Sequence, residues 1–439
     1  MRRLRFLEQA QWWERDRIDA YRGEALRALI RTAYHEVPFY RERMERAGLA
    51  PDDIRSPRDL HRLPAVTKAS LRQRYPKDTV RPTGLATYET TTSGSTGTNF
   101  AVIEDAFTAG HYRASFLLAL HWAGWNLGEA HVQNGINVHR SNDRKWKDWL
   151  LRCHYLTAYN VSDRYLDEAL DRMDAKRIRH LWGYPPSLYY LAQRAAQRGW
   201  NAPLKSVVTW GDTLYPHYRR SIERAFGVRI NDTYGCGEGF QIAAQCGAGS
   251  HYHVHELDVI VEYVDEGGCP ARPGEPGNVL ITRLHPGPMP LIRYQVGDRA
   301  APSALEACPC GRHWELMDSI QGRDTDVVTT PGGNRLIVHF FTGVLAHFQE
   351  IDSYQVVQEK VDSIRIRVTV NAASQFTPQL ERAIKTRLRE NGADLEIEME
   401  PVESIPVAAS GKRRFVISRL GPTAGGARNA STETAQVVK

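Results

Sequence analysis

"SVVTWGDTLYPHYRRSIERAFGVRINDTYG", residues 206–235, decides the fold class. Its apolar, β-branched opening "SVVTW" reads as a strand, "YPHYRRSIERAFG" (215–227) as a helix, and "VRINDTYG" (228–235) as a strand again. Strand, helix and strand in so few residues imply an α/β unit with at least partly parallel strands. Downstream, "GNVLITRL" (277–284) adds another strand. Upstream, Leu26, Leu29, Ile30, Ala33, Tyr34 and Val37 recur at helical spacing over 24–47, with Pro38 expected to break or kink that helix.

At 439 residues the chain exceeds one ordinary core, so two or three packed units are expected. The texture changes after "GRDTD" (322–326). "SYQVVQ" and "SIRIRVTV" alternate as strands, and "TPQLERAIKTRLREN" reads as a helix with Thr377 as N-cap, Pro378 in its first turn and Gly392 just past its end. "LEIEME" alternates again. The division is a large α/β domain over 1–322, a small α+β domain over 323–420 and a polar tail over 421–439 expected to be disordered.

Composition narrows the function. Lys and Arg number 57 against 51 Asp and Glu, a net charge of +6, with 42% hydrophobic and 25% charged residues, as in a globular protein. The alternating charges of "ERDRIDAYRGEALR" (14–27) read as a solvated helix face, and no basic run interleaves with aromatics, which argues against nucleic acid. No apolar run approaches the ~20 residues of a membrane span, and the basic start lacks a secretory core and cleavage site, so no membrane partner and a cytoplasmic location are expected. The six cysteines then read as thiols or metal ligands rather than a disulfide framework.

Four stretches carry chemistry. In "TTTSGSTGTNF" (90–100), hydroxyls and glycine amides in a flexible turn can wrap a phosphate, although the stretch lacks the Gly-Lys-Ser/Thr ending of a Walker loop. "NDTYGCGEG" (231–239) ends a strand in a turn that can offer Tyr234 to a purine, Gly235 for close approach and Glu238 as an oxygen ligand for Mg²⁺. "MPLIRYQVGDRA" (289–300) delivers Asp298 after a glycine, where a carboxylate can grip ribose hydroxyls. "PVAASGKRRF" (406–415) presents Lys412. Each alone also reads as an ordinary loop or turn.

In this order, together with Gly-Arg-x-x-Asp at 322–326, the stretches resemble the adenylate-forming superfamily of acyl-CoA synthetases. The resemblance is closest to the phenylacetate–CoA ligase-like branch, which includes the CapK-type and coenzyme F390 synthetase-like proteins. The N-terminal "LIRTAYHEVPFYRERMERAGLAPDDIRSPRDLHRLPAVTKASLR", "HLWGYPPSLYYLA" and "CPCGR" are similar to that branch's signatures, so the match covers nearly everything up to about 420. It implies a large domain holding ATP and a carboxylate, and a lid that rotates between two half-reactions. Thr92, Ser93, Gly94, Ser95, Thr96 and Gly97 would lie over the ATP phosphates, with Thr98 where the family usually has Lys. Gly211 and Asp212, with Thr233, Tyr234 and Gly235, would flank adenine. Glu238 would meet Mg²⁺, Asp298 the ribose, and Lys412 would reach in during adenylation. Arg323 is a further candidate for ATP binding, next to a hinge whose pivot residue the spacing leaves undecided. Tyr184, Pro185 and Gly237 are candidates for the acid's pocket, although "GYPPSLYY" (183–190) also reads as helix-start packing.

The implied activity is activation of a small, aromatic carboxylic acid as acyl-AMP, with transfer to coenzyme A. An amine acceptor is the alternative, followed by a non-catalytic nucleotide-binding protein, and a homodimer is left open. The apolar "GGNRLIVHFFTGVLAHF" (332–348) either packs the lid core or serves a partner surface. Cys246, His253, Cys308 and Cys310 would complete a tetrahedral structural Zn²⁺ site, with His251 and His255 competing for the nitrogen position. Cys153, Cys236 and Cys269 read as non-ligands, Cys236 being reactive only if its thiolate is stabilised.

Overall fold

The computed structural model describes residues 2–92, 100–135, 140–158, 162–321, 327–336, 338–345, 347–348, 350–370, 374–405 and 415–420. Within 206–235, strand Ser206–Thr209, helix Pro216–Phe226 and strand Ile230–Cys236 form in that order, and the two strands pair in parallel. They sit at the centre of an eleven-stranded sheet. On one side, Cys153–Thr157, His131–Gly135, His180–Gly183, Ser206–Thr209 and Ile230–Cys236 run parallel, in that spatial order. The other side is antiparallel and passes through Phe240–Gln245, Tyr252–Val254, Leu316–Gln321, Tyr294–Pro302, Gly277–Arg283 and Val259–Val264. Short connections account for the split: strands that follow each other directly can only turn back, whereas crossover helices return the chain parallel. Helices Asp163–Ala175, Pro185–Gln197 and Pro216–Phe226 supply those crossovers and share a core with Val132, Leu181 and Val207.

The N-terminal helix does break at proline, into Arg15–Glu36 and Pro38–Arg46 with Val37 extended between them. The reading of 14–27 as a solvated face is corrected. Arg22 is 3% exposed and donates to Glu256 Oε2 at 2.8 Å and to Glu315 Oε1 at 2.5 Å, while Arg15 donates to both oxygens of Glu256 at 2.8 Å. Charge alternation says nothing about which charges a distant buried carboxylate will claim, and an unpaired buried carboxylate is costly.

Residues 51–72 wrap back across the antiparallel side. Val66 N–H donates to the Arg293 carbonyl and Gln295 N–H to the Val66 carbonyl, both at 2.8 Å, so this segment docks as an extra bridge beside Tyr294. Thr67 then caps the short helix Lys68–Arg72.

The C-terminal unit is a four-stranded sheet ordered Glu396–Pro401, Ser363–Val370, Ile351–Lys360 and Val416–Ser418, with an antiparallel centre and parallel outer pairs. Helix Pro378–Glu390 is capped by the Thr377 hydroxyl, which accepts from Leu380 N–H. Within 332–348 the chain makes a two-residue strand, Arg335–Leu336, and then helix Val338–Leu345, whose Phe340 and Phe341 are fully buried. Those apolar residues pack the small domain's core, which also takes in Ala158 and Tyr184 of the large domain.

Candidate adenylate site and thiol cluster

Ile230–Cys236 is the last parallel strand, and its carboxyl end, where the sheet changes direction, is where open α/β sheets place ligands. Tyr234 and Gly235 stand at that end of the strand, and Glu238 lies in the turn just beyond it. The Tyr234 hydroxyl donates to Asp298 Oδ2 at 3.0 Å, so the expected purine and ribose residues meet. Its ring is buried in the main core, which leaves little open face for stacking and makes Tyr234 a brace for Asp298. Thr233 is also buried and donates to the Thr209 carbonyl at 2.8 Å. Beneath them, the Asp232 carboxylate accepts from Thr209 Oγ1 at 2.5 Å and from the Tyr252 hydroxyl at 2.6 Å. Burial pushes the Asp232 carboxyl up to about 6.

Glu238 is 3% exposed, and what holds it comes from distant parts of the chain. Lys68 Nζ lies 3.0 Å from Glu238 Oε1, and the Tyr294 hydroxyl donates to the same oxygen at 2.6 Å. Burial alone would raise the Glu238 carboxyl, but the Lys68 charge and the Tyr294 hydrogen bond outweigh it and hold the group below its usual value. A carboxylate suits Mg²⁺ as a donor, yet here an ammonium already shares it. Cys236, beside it, is no activated thiol: burial and the Glu238 charge push it well up.

Gly211 has φ +74°, and a Cβ there would come 2.6 Å from the Tyr184 ring. Glycine therefore lets the 210–214 turn close onto that ring. Trp210 lies 6.4 Å from Tyr184 and 5.6 Å from Phe116 between ring centres, making an aromatic wall beside the turn. Asp212 Oδ1 accepts from Thr213 N–H at 2.8 Å, and burial raises the carboxyl to about 7. Pro185 is buried in the first turn of its helix, the helix-start packing reading of "GYPPSLYY". Gly237 is exposed in the turn before Glu238. Ser93, Gly94, Ser95, Thr96, Gly97, Arg323 and Lys412 lie outside the described residues, as does the side chain of Thr92.

The antiparallel half gathers the four candidate zinc ligands. Cys246 Sγ and Cys308 Sγ are 3.6 Å apart, Cys310 Sγ and His253 Nε2 are 3.4 Å apart, and all four ligand atoms lie within 4.8 Å of one another. Tetrahedral Zn²⁺ bonded at ~2.3 Å to sulfur and ~2.1 Å to nitrogen spaces its ligands by about 3.4–3.8 Å, so the cluster fits. The rival histidines are engaged elsewhere: His251 Nδ1 pairs with Asp318 Oδ1 at 2.5 Å, and His255 stacks on Trp122. Burial raises the Cys246 and Cys310 thiols, but the His253 imidazole outweighs it and draws both below the usual thiol value. A second cluster, His111, Asp258 and His285, is closed within the protein, since Arg3 donates to Asp258 Oδ1 at 2.5 Å and the Ser115 hydroxyl bonds the other oxygen.

The CapK C-terminal domain family matches residues 328–419. Phenylacetate-coenzyme A ligase of Thermus thermophilus is 25% identical over 92% of this chain and 97% of its own length. The Escherichia coli phenylacetate-coenzyme A ligase is 25% identical over 89% of this chain and 92% of its own. Over nearly its whole length this chain is similar to phenylacetate-coenzyme A ligases, and its C-terminal unit matches the CapK C-terminal domain family. Among solved structures, a 2-hydroxyisobutyryl-CoA ligase in complex with 2-HIB-AMP and CoA shares the fold, with a TM-score of 0.61 and 21% identity over 93% of this chain and 91% of that one. Lys68 and Tyr294 are candidate-site residues that sequence reasoning missed. Lys68 stood in the "VTKASLR" signature, where nothing local says what the lysine touches.

Proposed function

We propose that this chain uses ATP to activate a small aromatic carboxylic acid as acyl-AMP and passes the acyl group to coenzyme A. The observation that carries the reading is the meeting of Asp298, Tyr234, Glu238 and the Gly211–Tyr184 turn at the carboxyl end of the last parallel strands. Attack of a carboxylate on the α-phosphate brings two anions together, and pyrophosphate leaves. Mg²⁺ arriving with ATP would be held by Glu238 and supplies charge neutralisation at the phosphates.

The chain's own groups do the rest. Asp298, braced by the Tyr234 hydroxyl, accepts from the ribose hydroxyls. Lys68 and Tyr294 keep Glu238 ionised and oriented. Gly211 brings backbone close to the nucleotide, and Trp210, Tyr184 and Phe116 offer flat apolar surface to the acid. ATP–pyrophosphate exchange over a panel of acids tests this reading. An aryl or arylacetic acid is expected to exceed a straight-chain acid of similar size by about tenfold in kcat/KM, the scale of a pocket built for flat rings. Exchange with none of the acids would remove the adenylation assignment, and preference for the straight chain would remove the aromatic one.

We further propose that Cys246, His253, Cys308 and Cys310 hold one structural Zn²⁺. His253 Nε2 faces the thiols, while its buried Nδ1 has no hydrogen-bond partner among the described residues. The ion would tie the loop carrying Cys308 and Cys310 to the strands at Cys246 and His253. Metal analysis is expected to find about one zinc per chain, reduced in Cys308→Ser together with the thermal midpoint. Metal-free protein whose Cys246, Cys308 and Cys310 titrate freely in the folded state would refute it.

A further inference from the structure

Helix Asn142–Leu150, "NDRKWKDWL", faces the wrong way for a helix of a globular protein. An amphipathic helix ordinarily turns its apolar stripe to the core and its charges to water. Here no residue of the helix is buried. Trp146, Trp149 and Leu150, one stripe at i, i+3 and i+4 spacing, are 61%, 74% and 56% exposed. The polar side is the anchored one: Arg140 Nε donates to Asp148 Oδ2 at 3.0 Å, and the same guanidinium lies over the Tyr155 ring at 4.1 Å. Leu151, at 41%, continues the apolar surface. Arg152 bonds the Gly128 carbonyl of a turn that adds exposed Leu127.

We propose that this helix docks the protein on an anionic phospholipid surface, laying Trp146, Trp149 and Leu150 into the headgroup region. At 100° per residue, Lys145 and Lys147 flank the stripe on its two sides, Arg152 lies just past the helix, and Asp143 is the one acid on the apolar side. Indole belongs chemically to the boundary between headgroups and acyl chains, and lysines beside it reach anionic headgroups. The chain's own 421–439 stretch, "GPTAGGARNASTETAQVVK", has no aromatic residue with which to cover two tryptophans. No helix among the described residues is long and apolar enough to cross a membrane, and lying on one needs only this one-sided stripe.

The full chain is mixed with sedimentable vesicles of phosphatidylcholine alone or with phosphatidylserine added. Wild type is expected to sediment with the phosphatidylserine vesicles at about 0.1 M salt and to be released at about 0.5 M, as screening shortens the reach of the lysines. Trp146→Ala/Trp149→Ala and Lys145→Glu/Lys147→Glu are each expected to weaken binding by about tenfold or more. Because all four side chains are solvent-facing, the variants should keep the wild-type thermal midpoint and ATP–pyrophosphate exchange. Wild type left in the supernatant with both vesicles overturns the proposal, as does equal binding by the tryptophan variant. A wild-type dimer that the tryptophan variant converts to monomer, without vesicle binding, overturns it in favour of a second copy of this chain. A stoichiometric soluble protein partner lost in the same variant does so in favour of that partner.

Discussion

Lys412→Ala is expected to slow acyl-AMP formation by about a hundredfold or more, while thioester formation from supplied acyl-AMP stays within a few-fold of wild type. Charge builds on the α-phosphate only in the first half-reaction, and a group that meets that charge contributes only where it develops. Ser410, Gly411 and Lys412 lie in sequence between strands Glu396–Pro401 and Val416–Ser418 of the small domain. A lysine suits this placement because it is a compact charge on a flexible stem and needs no fixed geometry in the other half-reaction. Pyrophosphate exchange reads the first step and synthetic acyl-AMP with coenzyme A reads the second. Equal losses in both would mean that Lys412 supports the fold or the coenzyme path rather than adenylation.

The second large effect is on stability. Lys68→Met should lower unfolding free energy by about 3–5 kcal/mol, because it leaves the Glu238 carboxylate in the protein interior with no cation beside it, only the Tyr294 hydroxyl and the Cys236 thiol. The double variant Lys68→Met/Glu238→Leu should recover much of that loss, since an apolar pair leaves no uncompensated charge. Denaturant midpoints of the two singles and the double give the coupling directly. Acid should mimic the lysine variant. The Glu238 carboxyl is held below its unfolded value of ~4.3, so its contribution is fully present above that pH and is lost as pH falls through the lower folded value. A neutral Lys68→Met, with no pH dependence of its own, would place the pair outside the energetics of the site.

Most of the fold was legible because it is written locally. The strand, helix and strand of 206–235, the break at Pro38 and the Thr377 cap each depend on neighbours within a few residues. The candidate site was half legible for the same reason. Tyr234, Glu238 and Asp298 sit beside glycines that advertise themselves, whereas Lys68 is one charged residue on a short helix and its partner lies 170 residues on in the turn after Ile230–Cys236. Arg15 and Arg22 misled for that reason too: alternation looked solvated, and the buried acceptor, Glu256, is more than two hundred residues away. At 332–348 the apolar content was plain, but the helix was not, because a short run of aromatics and β-branched residues fits a strand or a helix until packing chooses. Nor does the composition of 142–150 say which side would face water.

The docking of residues 51–72 beside Tyr294 also sets a clock on the ribosome. Arg293 bonds the Leu63 carbonyl across 230 residues of chain, and Val66 must find its place on a strand that does not yet exist when it emerges. At roughly 5–20 residues per second, that partner follows some ten to fifty seconds later. For that interval the nascent N-terminal segment holds Leu60, Leu63 and Leu71 with only the helix side of their core, because the strands that complete it have yet to be made.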